Sequence, residues 1–527
     1  MKVLISDRLP AEAADKLAGF EGIEVDNAPG LPPDELKAHL ADAEGIIIRS
    51  GTKVTAEVLA DAPKLRAVVR AGVGVDNVDV AAASRRGVIV MNTPGGNTLS
   101  TAEHTMALLL ALSRNVYPAC RSLKEGKWDR KSFMGTQLAG KTIGVIGLGR
   151  IGLEVARRAA AFGMTVLGYD PYIAPERAKQ YQVAVAGELG ELYARADYVT
   201  VHVPVTDETQ GMIAGPQIAR MKDGVKLINC ARGGIIDEAA LAQAIRDGKV
   251  AGAALDVYTA EPPADRNLVD LPQVLCTPHL GASTEEAQLG VALEAVECIT
   301  GALLENRIRN AINVPAIDPA EADALVPYGH LARDLGLLQT QLVRRIPSSV
   351  TITYAGDAAR LNSRYITAHL IAGLLDPVLE EETNYINAPC LAEDRGIRIT
   401  ESKTPHAQDF ATLLTVSCMV DGQLHQAAGT LVGKGDPRIV LIEGYRVEAM
   451  PRGTLLVLFA DDKPGLIGNV GKLLGEKDIN IAAMTFGRKT AGGEAITVLN
   501  VDGAIHEAML TAVRATPHVR KACIVAF

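Results

Sequence analysis

The sequence predicts an α/β protein: two consecutive parallel-sheet domains, then an α+β segment and a C-terminal βαββαβ module. Three observations carry this. Short β-rich apolar runs alternate with helix-like stretches in two successive series between Lys2 and Pro315. A glycine turn joins a strand to a helix across 142–161, and the last block reads strand, helix, strand, strand, helix, strand. At 527 residues the chain is too long for one hydrophobic core, so three or four domains are expected.

In the first series the strands are Val3-Leu4-Ile5, Ile46-Ile47-Ile48, Ala67-Val68-Val69 and Val88-Ile89-Val90, with helices over Ala11–Ala18 and Pro33–Leu40. A long apolar helix, Leu99–Ser113, leads into the second series. Its strands are Thr142–Ile146, Thr165–Tyr169, Tyr198–Val201, Val225–Asn229 and Gly252–Asp256. A further long helix, Thr284–Leu304, is closed by Asn313-Val314-Pro315, because proline cannot prolong a helix and biases its neighbour to extended geometry. The segment Ala316–Pro451 carries strands at Val350–Tyr354 and Ile397–Thr400 and a hairpin about Asp421-Gly422, a pair that supplies positive φ. The last block places strands at Leu455–Phe459, Ile479–Phe486, Glu494–Val501 and Val519–Val525 and helices at Leu466–Gly475 and Ala504–Arg514.

Composition is that of an ordinary soluble enzyme, 48% apolar and 22% charged, with no apolar run long enough to cross a bilayer. Met1–Asp7 shows no basic leader followed by an apolar stretch, so a cytoplasmic location is expected. Seven cysteines without a C-x-x-C pair suit reduced thiols and imply no metal site. A net charge of −9 argues against nucleic acid as the main partner, so any anion must bind in a local basic pocket.

The strongest motif is Thr142-Ile143-Gly144-Val145-Ile146 running into Gly147-Leu148-Gly149-Arg150-Ile151-Gly152 and then a helix. That order brings backbone N–H groups and a positive helix end to a pyrophosphate. Asp170 ends the next strand, where a carboxylate would bind ribose hydroxyls and repel a 2′-phosphate, favouring NAD over NADP. Three later strands end in polar residues: Asn229-Cys230-Ala231-Arg232-Gly233-Gly234, Ala254-Leu255-Asp256-Val257-Tyr258 and Cys276-Thr277-Pro278-His279-Leu280-Gly281-Ala282. Ligands bind at such carboxyl ends in open α/β sheets. Oxidation of a 2-hydroxy acid needs a base for the hydroxyl proton, a cation for the carboxylate and a hydride acceptor. His279, Arg232 and a nicotinamide would supply them, with Glu261 holding the imidazole.

Together these segments resemble the D-2-hydroxyacid dehydrogenases. The resemblance implies two Rossmann-like or flavodoxin-like parallel-sheet domains and a catalytic set of Arg232, Glu261 and His279. It implies cofactor contacts at Gly147, Gly149, Arg150, Ile151, Gly152, Asp170, Cys230, Ala231, Arg232, Asp256, His279, Leu280, Gly281 and Ala282. It also implies a discontinuous substrate-binding domain, 1–97 plus 288–315, around an NAD-binding domain at 98–287, in a protein that pairs as a homodimer or homotetramer.

Three more stretches, around Arg49, Arg70 and Trp128–Gly135, resemble the phosphoglycerate dehydrogenase branch of that family. There Arg49, Arg70 and Arg130, the last from a neighbouring subunit, would hold the acidic ends of 3-phosphoglycerate, and Asn97 would fix its carboxylate. Val73 stands where a Thr is common in animal relatives, so one cofactor contact is expected to be missing or made by backbone. In the same branch, 316–451 resembles an intervening α+β domain and 452–527 a ferredoxin-like ACT domain. Asp462, Gly465 and Asn480 match an L-serine site, but Ala460 departs from the larger residue expected there. Two other readings stay open at this point: a dehydrogenase for an unphosphorylated acid such as glycerate, and an NAD-sensing binding protein of the same fold.

Overall fold

The computed structural model describes residues 1–305, 307–315, 321–379, 383–433 and 435–527. The expected boundary at Ala316 therefore lies outside the described residues. Four sheets follow one another along the chain. The first has strands β1 (Lys2–Ile5), β2 (Glu24–Asn27), β3 (Gly45–Ile48), β4 (Ala67–Arg70) and β5 (Ile89–Asn92) in the order β2-β1-β3-β4-β5, all parallel. This is the flavodoxin-like order.

The second contains β6 (Thr142–Ile146), β7 (Thr165–Tyr169), β8 (Ala184–Val185), β9 (Tyr198–Val201), β10 (Val225–Asn229), β11 (Val250–Leu255) and β12 (Val274–Cys276). Its order, β12-β11-β10-β9-β6-β7-β8, reverses direction between β6 and β9, as in a Rossmann sheet. Ligands bind at such a reversal, beyond the carboxyl ends of the strands.

The inner strands of both sheets are buried on two faces, which is why they read as continuous apolar runs. The helix Thr98–Ser113 packs beneath the second sheet together with Arg150–Ala161. The helix Glu285–Leu304 turns back onto the first sheet, where Val291, Ala295, Ile299 and Leu303 meet Val3, Ile5, Ile47 and Val69. Its start is set by Thr284, whose hydroxyl accepts from the Ala287 N–H, and by Glu285 and Glu286 at the positive helix end. Among the described residues it is the one helix long and apolar enough for a bilayer, with a mean hydropathy of 1.4, yet it packs in the core against the first sheet.

The third sheet is mixed: β13 (Ser349–Gly356), β14 (Arg398–Thr404), β15 (Thr412–Val420), β16 (Gln423–Val432), β17 (Asp436–Ile442) and β18 (Tyr445–Ala449), ordered β14-β13-β15-β16-β17-β18. The hairpin joining β15 to β16 turns at Asp421 and Gly422, with φ of 49° and 79°. The fourth sheet, β19 (Thr454–Asp461), β20 (Ile481–Arg488), β21 (Glu494–Val501) and β22 (Val519–Ala526), is antiparallel in the order β20-β21-β19-β22. Helices Leu466–Gly475 and Glu507–Arg514 cover one face. The long helix Ala322–Val343 lies between the third and fourth sheets, so Leu455, Val457, Ile496 and Val525 share one core with Leu331, Leu335 and Leu338.

Several boundaries differ from the sequence-based ones. The strand expected at Val88–Val90 runs Ile89–Asn92, and that at Gly252–Asp256 runs Val250–Leu255. The final helix starts at Glu507 rather than Ala504 because Gly503 has positive φ and ends the preceding strand with a turn.

Candidate active site

The glycine turn after β6 is shaped by sterics. Gly147 has φ +88°, and a Cβ there would press on the carbonyl of His202. A Cβ on Gly152 would collide with the Gly147 oxygen, whereas one on Gly149 would point into open space. The helix Arg150–Ala161 then begins without a side-chain cap, leaving its first N–H groups free. Open space, free donors and a positive helix end together fit a dinucleotide pyrophosphate. Asp170 closes the turn, its Oδ2 accepting from Leu148 N at 2.8 Å and its Oδ1 from Tyr172 N at 2.9 Å.

Between the first and second sheets lies a cleft of about 780 Å³. Arg49, Arg70, Asn97, Arg232, Glu261 and His279 all line it, together with Lys53, Asp76 and Gln288, which sequence reasoning missed. His279 Nδ1 stands 2.7 Å from Glu261 Oε2, while the other carboxylate oxygen accepts from Tyr258 N at 3.2 Å. An ionised carboxylate only accepts, so Nδ1 carries a proton and the neutral ring presents Nε2 as its basic nitrogen.

Arg232 leans on Asp76, Nε to Oδ2 at 3.3 Å, and donates to its neighbour's carbonyl, Ala231 O, at 2.7 Å. Asn229 shapes this loop by donating to Arg232 O and accepting from Ala231 N. Arg70 is the most confined of the cations. Burial, and then the Arg232 guanidinium, push its pKa down to about 10, and its buried Nε has no partner. Asn97 Oδ1 is likewise buried without one. Three guanidinium groups and two unmatched polar atoms around one cleft call for an anionic, hydrogen-bonding ligand.

Several other expected residues lie outside this cleft. Arg130 sits in the exposed segment 127–135 and does not line the cleft of its own chain. Asp256 is fully buried, and its carboxylate accepts from Thr277 Oγ1, Leu280 N and Gly281 N at 2.6–2.8 Å. It holds the turn that carries His279. Cys230 is buried as well, which pushes its thiol up to about 12. In the last domain Asp462 accepts from Arg488 Nη1 and Gly492 N, and Asn480 donates to Asp502. Gly465 has φ +91° and opens an uncapped helix.

Residues 106–281 match the family described as D-isomer specific 2-hydroxyacid dehydrogenase, NAD binding domain. Residues 324–443 match the D-3-phosphoglycerate dehydrogenase intervening domain and 454–518 the ACT domain. The D-3-phosphoglycerate dehydrogenase of Archaeoglobus fulgidus is 45% identical over 505 residues, covering 95% of each chain. That of Bacillus subtilis is 41% identical over 518 residues, covering 98% of each. Among solved structures, the TT0316 protein of Thermus thermophilus is 38% identical with a TM-score of 0.54, covering 59% of this chain and 100% of its own. The D-lactate dehydrogenase of Aquifex aeolicus, complexed with NAD and lactic acid, is 29% identical with a TM-score of 0.52, covering 60% of this chain and 100% of its own. A dinucleotide turn, a carboxylate-paired histidine in an arginine-lined cleft and full-length similarity converge on one assignment: the chain belongs to the D-3-phosphoglycerate dehydrogenase family.

Proposed function

We propose that the enzyme oxidises 3-phospho-D-glycerate to 3-phosphohydroxypyruvate with NAD+, the first step of L-serine biosynthesis, through the arginine-lined cleft at His279. The observation that carries the reading is the gathering of Arg49, Arg70 and Arg232 around the His279–Glu261 pair. One substrate with a carboxylate at one end and a phosphate at the other satisfies all three cations. Bound NAD supplies the hydride acceptor. His279 Nε2 takes the hydroxyl proton, and Glu261 stabilises the imidazolium that results. Arg232 orients the carboxylate and polarises the forming carbonyl, Asn97 fixes the same end, and Arg49 and Arg70 hold the phosphate.

The residue groups 1–97 with 288–315, 98–287, 316–451 and 452–527 are taken as substrate-binding, NAD-binding, intervening and ACT domains. The first pairing is supported by the helix Glu285–Leu304 packing on the first sheet. A homodimer or homotetramer in the cytoplasm, with Arg130 reaching a neighbouring chain's cleft, completes the reading. L-serine is the proposed effector, bound near Asp462, Gly465 and Asn480.

Arg232→Ala and His279→Ala each remove a group from the reacting centre. Each variant is expected to fold and to lose on the order of 10²–10⁴ in kcat/KM. Full activity in either would refute the site.

A further inference from the structure

The helix Thr98–Ser113 begins directly after Asn97 and is apolar along most of its length, yet its first turns carry polar side chains facing the turn that bears His279. Ser100 Oγ donates to Gly281 O at 2.8 Å and Thr101 Oγ1 to the same oxygen at 3.2 Å. One turn further on, His104 Nε2 lies 3.2 Å from Asp256 Oδ1 and 3.2 Å from Thr277 Oγ1.

The proton on His104 can be placed by elimination. Thr277 Oγ1 donates to Asp256 Oδ1 at 2.6 Å, so its hydrogen is committed and it meets His104 with a lone pair. The Asp256 carboxylate is fully buried; burial raises its pKa, but hydrogen bonds from His104, Thr277 and Leu280 together hold it below the usual carboxylate range. An ionised carboxylate and a committed hydroxyl both accept, so His104 Nε2 must carry the hydrogen and share it between them.

That hydrogen matters because of what Asp256 holds. Its carboxylate accepts from the N–H groups of Leu280 and Gly281, and its carbonyl accepts from His279 N at 2.9 Å. His279 itself sits at φ +54°, a left-handed conformation that a non-glycine residue keeps only when its surroundings impose it. Asp256 grips the turn from both sides of that residue.

We propose that His104 is a positioning residue: through the Asp256–Thr277 pair it fixes the 277–281 turn and so aims the His279 imidazole at the substrate hydroxyl. The inference rests on His279 being the proton acceptor. His104 also ties this aim to the helix that starts at Asn97, so the substrate carboxylate and the base are referred to one rigid element.

The test is a double-mutant cycle. His104→Ala is expected to lower kcat by about 10–100-fold, the usual effect of removing a hydrogen-bonded supporting group. KM for the phosphorylated acid and the NADH dissociation constant, read by nucleotide fluorescence, should move less than about 3-fold, since His104 does not line the cleft. His104→Gln, which can place an N–H near the same point, should recover most of the loss.

In a His279→Ala background, assayed at raised enzyme concentration, adding His104→Ala should change turnover by less than about 2-fold, because the residue it aims is gone. Three results would overturn the proposal: wild-type kcat in His104→Ala, an equal fold-loss in both backgrounds, or a loss that follows weakened NADH binding. The reading of His279 itself is judged separately, by the activity of His279→Ala alone.

Discussion

Nδ1 of His279 stands 2.7 Å from Oε2 of Glu261, and the Glu261 side chain is fixed in turn by the N–H of Tyr258. Both side chains are partly exposed and line the cleft. Glu261→Gln keeps a hydrogen-bonding side chain of the same length but removes the charge that stabilises the imidazolium. It is expected to lower kcat/KM by about 10²-fold, with a smaller change in the NADH dissociation constant. Steady-state kinetics beside nucleotide fluorescence separate the two. Undiminished turnover would leave the carboxylate without a role.

Arg70 is charged at neutral pH in a place that resists the charge. Its folded-state pKa is depressed to about 10 by burial and by Arg232 beside it. For a base this sign means destabilisation, fully present below about pH 10 and relieved only as the pH rises above it. The size is on the order of 3 kcal/mol. Arg70→Gln should therefore raise the Tm of the ligand-free protein at pH 7 while weakening the phosphorylated substrate. Scanning calorimetry with and without 3-phosphoglycerate checks both. A lowered Tm in the free variant would show that Arg70 supports the fold.

Asp334, on the helix between the third and fourth sheets, has its carboxyl pushed up to about 7 by burial. An acid whose folded pKa is raised favours the folded state while protonated. That contribution is lost as the pH climbs from the ordinary carboxylate range through 7. Asp334→Asn is expected to leave stability near pH 4 unchanged and to raise it at pH 8. Thermal melts of both proteins across that range would show the gap widening with pH. A constant gap would contradict the assignment.

Much of this architecture was legible in the sequence, for identifiable reasons. Thr142–Ile146, Thr165–Tyr169, Tyr198–Val201 and Val225–Asn229 are found at their expected bounds because each is a buried apolar run cut off by polar or glycine residues. The strand Glu24–Asn27 escaped because it is a polar edge strand, and of Val274–Cys276 only the end was legible because three residues before Thr277-Pro278 give no periodicity. The helices Ala322–Val343 and Ser363–Leu375 carry no clear amphipathic stripe. Sandwiched in a core, Ser363–Leu375 is buried on nearly every side.

The same logic governs the site. His279, Glu261 and Arg232 follow strand ends, where ligands bind, so their types and places are suggestive together. Ser100, Thr101 and His104 lie inside an apolar helix and read as core. Their signal is a cluster of hydrogen-bonding residues on one face near the start of that helix, directly after Asn97. What they touch is set by Asp256 and Gly281, far along the chain.

The central claim is that the arginine-lined cleft selects a phosphorylated acid. The most direct measurement is the reduction of 3-phosphohydroxypyruvate by NADH, followed at the nicotinamide absorbance, against hydroxypyruvate under the same conditions. The account predicts a kcat/KM at least about 10²-fold higher for the phosphorylated acid, the scale expected for charge-assisted phosphate contacts of about 3 kcal/mol. Equal reduction of the two acids would contradict it.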